Sequence, residues 1–160
     1  MELTIKKEKR SRKIKKKKLL PIALICLFTL VGSLGFAQGD SRQALLEKEA
    51  GIDTATRWLK HTDTKDYTTS WQTAAQMFKS SITLDQWATT ITSVRDPLGK
   101  VVSRDLFHDQ LTATLPGMPD GRYLVLRYVT RFANKTHAVE SITLMKESDG
   151  TWRVAGYYIK

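Results

Sequence analysis

The spacing of apolar residues changes once along this chain, near Val101, and that change bounds the fold. Before it, apolar side chains recur three and four residues apart: Ile52, Ala55, Trp58 and Leu59, then Trp71, Ala74 or Ala75 and Phe78, then Trp87, Ile91 and Val94. That is the period of helices burying one stripe. After it the period is two. Within 123–132, Leu124, Leu126, Tyr128 and Phe132 share one face while Arg127 and Arg131 take the other, as in a half-buried strand. At 160 residues the chain is too short for a multidomain enzyme or a large barrel.

Local signals punctuate both halves. Residues 38–50 read as a polar lead-in to a first helix ending near Thr62, and Gly51 costs about 1 kcal/mol if it lies inside that helix. Residues 63–66 form a polar connection with Asp66 as N-cap of the next helix, which runs through Phe78. Thr83 with Gln86 is a capping box, and Pro97 with Gly99 stops the third helix. Strands are expected at 101–115, 123–132, about 137–147 and 151–159, with Asp149-Gly150 as the last hairpin turn. In the first of them the apolar phase slips between Val102/Leu106 and Phe107/Leu111/Leu115, which predicts a bulge. One-faced strands must bury their apolar side, and the helices are the available cover. The expected fold is α+β: helices packed on a curved four-stranded antiparallel sheet, with Gly156 as a bend point, and this element order is similar to the cystatin-like or nuclear-transport-factor-2-like cone.

Charge separates the chain into two parts. Of 26 Lys+Arg and 16 Asp+Glu, ten basic residues and two Glu fall in residues 1–37, so that segment carries +8 of the net +10. Residues 6–18 are basic, 19–37 are apolar, and Gly35 and Ala37 place small residues before Gln38, the pattern of a signal peptide cut between Ala37 and Gln38. The rival reading is an uncleaved anchor, since roughly 18 apolar residues span a bilayer. Either way residues 38–160 are expected outside, periplasmic or secreted, or held at the inner membrane with the domain outside, with membrane contact only through the leader. Cys26 is the single cysteine and lies in the leader, so the 51–160 domain has no disulfide and no thiolate chemistry. At +2, residues 38–160 give no nucleic-acid footprint.

Trp58, the Asp63-Thr-Lys-Asp-Tyr67 run, Ser70-Trp71, Gln86-Trp87, the Arg95-Asp-Pro-Leu-Gly99 run and the ending from Trp152 to Tyr158 resemble, in combination, a bacterial family catalogued as domain of unknown function 4019. The resemblance covers about 52–160 and implies an exported cone-type domain. It implies no catalytic residues.

Among polar residues Glu140 is the most informative. It shares strand parity with Ile142 and Leu144, and Arg104 shares parity with Val102 and Leu106, so an inward ion pair is expected. The alternative makes Glu140 a general base on the floor of the cone, near Tyr128 or Tyr158, and the chain a small-molecule isomerase or hydrolase. An arginine neighbour weakens such a base. His61, His108 and His137 lack metal-ligand spacing, so no metal or other cofactor is expected. The functional expectation is therefore an envelope binding or accessory module for a small molecule or an envelope protein. A membrane-tethered structural module is the alternative if the leader stays.

Overall fold

The computed structural model describes the backbone from Cys26 and the side chains from Asp40. The basic stretch, the rest of the leader's side chains and those at the Ala37–Gln38 junction lie outside the described residues. The chain divides into two compact units, Met1–Gln38 and Gly39–Lys160, and the second is the one described below. Among the described residues four α-helices come first, α1 (Cys26–Asp63), α2 (Tyr67–Gln72), α3 (Gln76–Ser81) and α4 (Leu84–Arg95), then a 3-10 turn at Asp96–Leu98. Four strands follow, β1 (Val101–Thr112), β2 (Tyr123–Phe132), β3 (Ala138–Lys146) and β4 (Trp152–Ile159). They form one antiparallel meander in the order β1-β2-β3-β4. The class is α+β, helices then sheet.

Two helical expectations change. Residues 38–50 are not a lead-in but part of α1, and the helix uses them: Glu47 takes Lys146 at 2.9 Å and Arg122 at 2.6 Å, and Lys48 pairs with Asp109. The stripe from Trp71 to Phe78 breaks into α2 and α3. At the break the Ala75 N–H leaves the helical ladder and donates to the Val154 carbonyl at 2.8 Å, tying the helical layer to the edge of the sheet. The remaining signals act as read. Asp66 accepts from the Thr69 N–H, Thr83 and Gln86 form a reciprocal capping box, and Gly99 takes a positive φ of 75° after the 3-10 turn. The end of α1 is a Schellman motif in which Asp66 N–H reaches His61 O at 2.8 Å and Lys65 N–H reaches Thr62 O at 3.2 Å. Lys65 takes the left-handed position at φ 61°.

Register shifts set which side chains face the helices. In β1 they fall at Val101/Ser103 and Leu106/His108, so Val102 and Phe107 are the extra residues. In β4 the shift falls where Thr143 pairs with Gly156 but Leu144 with Val154, leaving Ala155 extra. The inner face carries Leu124, Leu126, Tyr128, Ile142, Leu144, Trp152 and Val154, packed on Ala55, Trp58, Leu59, Phe78, Trp87 and Ile91. Aromatic rings pack between the helices and the sheet. Trp58 lies 5.8 Å from Trp87 and 5.3 Å from Tyr157, and Phe78 meets Trp87 edge-on at 5.1 Å. Their polar tips are satisfied: Trp58 Nε1 donates to Ser70 O at 2.7 Å and Trp87 Nε1 to Ser70 Oγ at 2.9 Å.

Gly51 sits inside α1 because the helix crosses β2 too closely for a side chain. A Cβ there would lie 2.3 Å from Cδ2 of Leu124, which is fully buried. Gly51→Ala is therefore expected to destabilise the protein by about 1–2 kcal/mol, although alanine is the better helix former by about 1 kcal/mol. Adding Leu124→Val should return part of that loss. Urea denaturation of the two single variants and the double variant measures the coupling, and purely additive effects would refute the close-approach account.

Candidate functional site

Two carboxylates and two guanidinium groups meet where the ends of α1 and α4 reach the sheet. Glu140 is inward because β3 alternates from Ala138 through Ile142 to Leu144, all buried, and it is itself 0 % exposed. Arg104 is inward because it pairs with Thr130 across β1–β2. The Val102 bulge turns Val102 itself outward, to 60 % exposure, so shared parity with Val102 is not what directs Arg104. Arg95 ends α4 one turn after Ile91 and two after Trp87, so the buried stripe carries it inward to 6 % exposure. Asp63 is the last residue of α1.

The hydrogen bonds close on themselves. Glu140 Oε1 accepts from Arg95 Nη1 at 3.0 Å, from Arg104 Nη2 at 3.3 Å and from the Tyr157 hydroxyl. Its Oε2 accepts from Arg104 Nε at 2.5 Å and from Thr130 Oγ1 at 2.6 Å. Asp63 takes Arg104 through both oxygens, at 2.8 and 2.9 Å, and Arg95 Nη2 as well. Tyr157 OH also lies 3.0 Å from Arg95 Nη1, and the Arg95 guanidinium rests over the Phe132 ring at 5.2 Å. The two positive and two negative charges cancel.

Electrostatics follow from this geometry. Burial pushes the Asp63 carboxyl upward, but hydrogen bonds and charge from Arg104, with the charge of Arg95, more than offset it and hold it below its ordinary value. An acid at a helix C-terminus is otherwise unfavourable, so Asp63 depends on these cations, whereas Arg95 suits the C-terminus of α4. Burial and then the Glu140 charge push the Tyr157 hydroxyl well up. Burial likewise pushes Tyr128 up to about 12.

Of the residues singled out from sequence, Glu140 and Arg104 are brought together. Tyr128 lies across from Glu140 on β2, yet its hydroxyl is buried with no hydrogen-bond partner among the described residues. Tyr158 is on the outer face at 62 % exposure, and Tyr157 takes the interior place. The reason is the Ala155 bulge, which inverts the side-chain alternation after Val154. Asp63, Arg95, Thr130 and Tyr157 complete the site and were not named for it. For Arg95 a signal existed, since it continues the Trp87–Ile91 stripe. The histidines stay apart. His108 pairs with the exposed Arg127 on the outer face while Asp109, facing inward, holds Lys48, and His61 meets Asp66 at 3.2 Å. A cleft of about 190 Å³ borders the site on its open side, lined by Lys65, Tyr67, Asp96 and Lys100 beside Asp63 and Arg95. Among the described residues no cluster of His, Cys, Asp and Glu is placed to hold a metal ion. Nor is any described helix long and apolar enough to cross a membrane.

The two tyrosines separate bonded from unbonded hydroxyls. Tyr157→Phe is expected to cost about 1.5–3 kcal/mol, because a buried carboxylate loses a donor. Tyr128→Phe removes an unpaired hydroxyl and should be neutral or stabilising by up to about 1 kcal/mol. Thermal or urea unfolding of both variants checks this, and equal losses would contradict it. Acid should act through Asp63. Its folded value lies below the ordinary 3.8, so its stabilisation is complete above about pH 5 and fades as the pH falls from about 4 through the folded value. Asp63→Asn should flatten the dependence of the urea midpoint on pH between about 5 and 2, and an unchanged slope would show that the acid response lies elsewhere.

Comparison with known proteins adds a family without an activity. No curated protein and no solved structure matches the chain. The family described as "Protein of unknown function (DUF4019)" matches residues 54–157, a span that contains Asp63, Arg95, Arg104, Thr130, Glu140 and Tyr157. On that match, which covers more than half of the sequence, the chain belongs to the DUF4019 family.

Proposed function

We propose that this protein is an exported binding or accessory module of the bacterial cell envelope, with a small molecule or an envelope protein as its partner, and that its interior carboxylate is structural. The observation that carries this reading is the state of Glu140. It is fully buried and accepts from five donor groups on Arg95, Arg104, Thr130 and Tyr157. A general base needs an oxygen within reach of a substrate proton. Glu140 would have to expel one of these donors to offer one, at the cost of a hydrogen bond to a fully buried carboxylate. Export rests on the basic and apolar leader and on the near-neutral remainder, +2 over residues 38–160. The cone reading of the α+β fold draws support from the register shifts in β1 and β4, which are devices that curve a sheet around its helices.

Glu140→Gln tests the reading. Removing one charge from a buried network costs about 3–5 kcal/mol, so the variant is expected to unfold or to lose most of its stability. A Glu140→Gln protein that keeps its fold and loses turnover on an identified substrate would overturn the module reading in favour of a cone-fold isomerase or hydrolase. On the same preparation, the mass of the wild-type protein should place its N-terminus near Gln38. An intact leader would replace export with anchoring.

A further inference from the structure

The β4 edge is half closed. Near its start the Ala75 N–H already occupies the Val154 carbonyl. Beyond the Ala155 bulge the edge faces α4 across an apolar groove of about 270 Å³, lined by Trp87, Ile91 and Val94 from α4 and by Tyr157, Tyr158 and Ile159 from β4. Both faces of the strand line this groove, so it runs along the strand edge. Val139 and Lys160 exchange both backbone hydrogen bonds at 3.0 Å. Antiparallel alternation then turns the Tyr158 backbone toward β3 and the N–H and C=O groups of Tyr157 and Ile159 toward the groove. Those groups have no backbone partner among the described residues.

We infer that this groove takes an extended peptide segment of a partner protein, added to β4 as a fifth strand. An unpaired row of donors and acceptors beside an apolar trough is met by an extended backbone, which supplies both at the strand repeat. Residues of the segment opposite Tyr157 and Ile159 point inward onto Ile91 and Val94, so they must be apolar. The residue opposite Lys160 lies on the outer face beside the Lys160 ammonium, and the same face carries Arg127 and Arg131 two strands further in, on β2. Lys160, Arg127 and Arg131 are exposed cations, and among the described residues none has a carboxylate within salt-bridge distance. Asp105 is the carboxylate on that face. The complementary segment therefore alternates apolar residues inward with acidic residues outward.

The test uses the protein purified from the cell that makes it and acetylated, amidated heptapeptides with valine at alternate positions and glutamate, serine or lysine between. Saturable binding is expected, ranked glutamate over serine over lysine by about two- to fivefold per step. Amide exchange should slow across 157–159. N-methylation of the valines, or Val94→Glu in the protein, should weaken binding at least about tenfold. Lys160→Glu should reverse the ranking. No saturation up to about 1 mM, equal binding of the N-methylated peptide, or protection mapping elsewhere would each overturn the assignment. So would concentration-dependent pairing of the protein with itself that excludes the peptide. This inference rests on the binding-module reading, and the two fail separately. Failure of the peptides removes the groove alone, whereas a folded Glu140→Gln protein without turnover removes the module.

Discussion

The Glu140 carboxylate is the group on which the rest of the structure depends. Burying one ionised carboxylate costs several kcal/mol even after relaxation, and only well-placed opposite charges and hydrogen bonds offset that. Here the offsetting groups come from separate elements: Arg95 from α4, Arg104 from β1, Thr130 from β2 and Tyr157 from β4. Asp63, from the end of α1, then neutralises the second guanidinium. Each element is held to the others by the requirement that no charge be left alone. Hydrophobic packing on the same face is tolerant of small shifts; this network, with donors aimed at fixed lone pairs, is not. The chain has no disulfide to impose such registry, since its single cysteine is Cys26. The network supplies the constraint from within.

The helical layer shows the same economy. Ser70, fully buried in α2, accepts the Trp87 indole through its hydroxyl and the Trp58 indole through its carbonyl. One residue thereby fixes α1, α2 and α4 around the aromatic cluster. The break between α2 and α3 has an equally local cause. Continuing the helix would keep the Ala75 N–H in its own ladder, whereas the break releases it to the Val154 carbonyl on the sheet edge. The apolar stripe of Trp71, Ala74 and Phe78 is compatible with one helix or two. The hydrogen bond to the sheet decides between them, and it is invisible in the stripe.

What the sequence made legible, and what it did not, divides along the same line. Period, caps and turn residues gave helices before strands, the capping box, the helix stop at Pro97 and Gly99 and the hairpin at Asp149-Gly150, because those features are set by residues next to one another. The pairing of Glu140 with Arg104 was within reach because β3 alternates without a bulge and Arg104 shares parity with Leu106 on the unshifted stretch of β1. Tyr157 was out of reach because a single extra residue, Ala155, reverses that alternation, and Gly156 marked the place without giving the direction. Asp63 sat one residue beyond the expected end of α1 and read as loop. Arg95 was hidden by type, since an arginine at the end of an amphipathic helix ordinarily faces solvent. Residues 38–50 read as a polar lead-in because Glu47 and Lys48 find their partners only on distant strands and hairpins.

The Ala155 bulge ties the buried network to the open edge of the sheet. By inserting one residue it rotates Tyr157 inward, where its hydroxyl meets Glu140 and Arg95, and in the same step turns Tyr158 outward beside the groove. Without the bulge, Tyr158 would take the inner position and Tyr157 the outer one, and β4 would continue in plain register with the backbone direction of its last residues reversed relative to α4. The groups now facing the groove, those of Tyr157 and Ile159, would then face β3. The same local irregularity thus sets which side chain enters the charge network and which backbone groups of β4 face the groove. Before the bulge the edge is met by the helical layer, where the Ala75 N–H donates to the Val154 carbonyl. Among the described residues, the half of β4 left without a backbone partner on its edge is the half whose inner side chain, Tyr157, meets the charge network. A segment docking on that half would meet a strand already formed and lose little to ordering it.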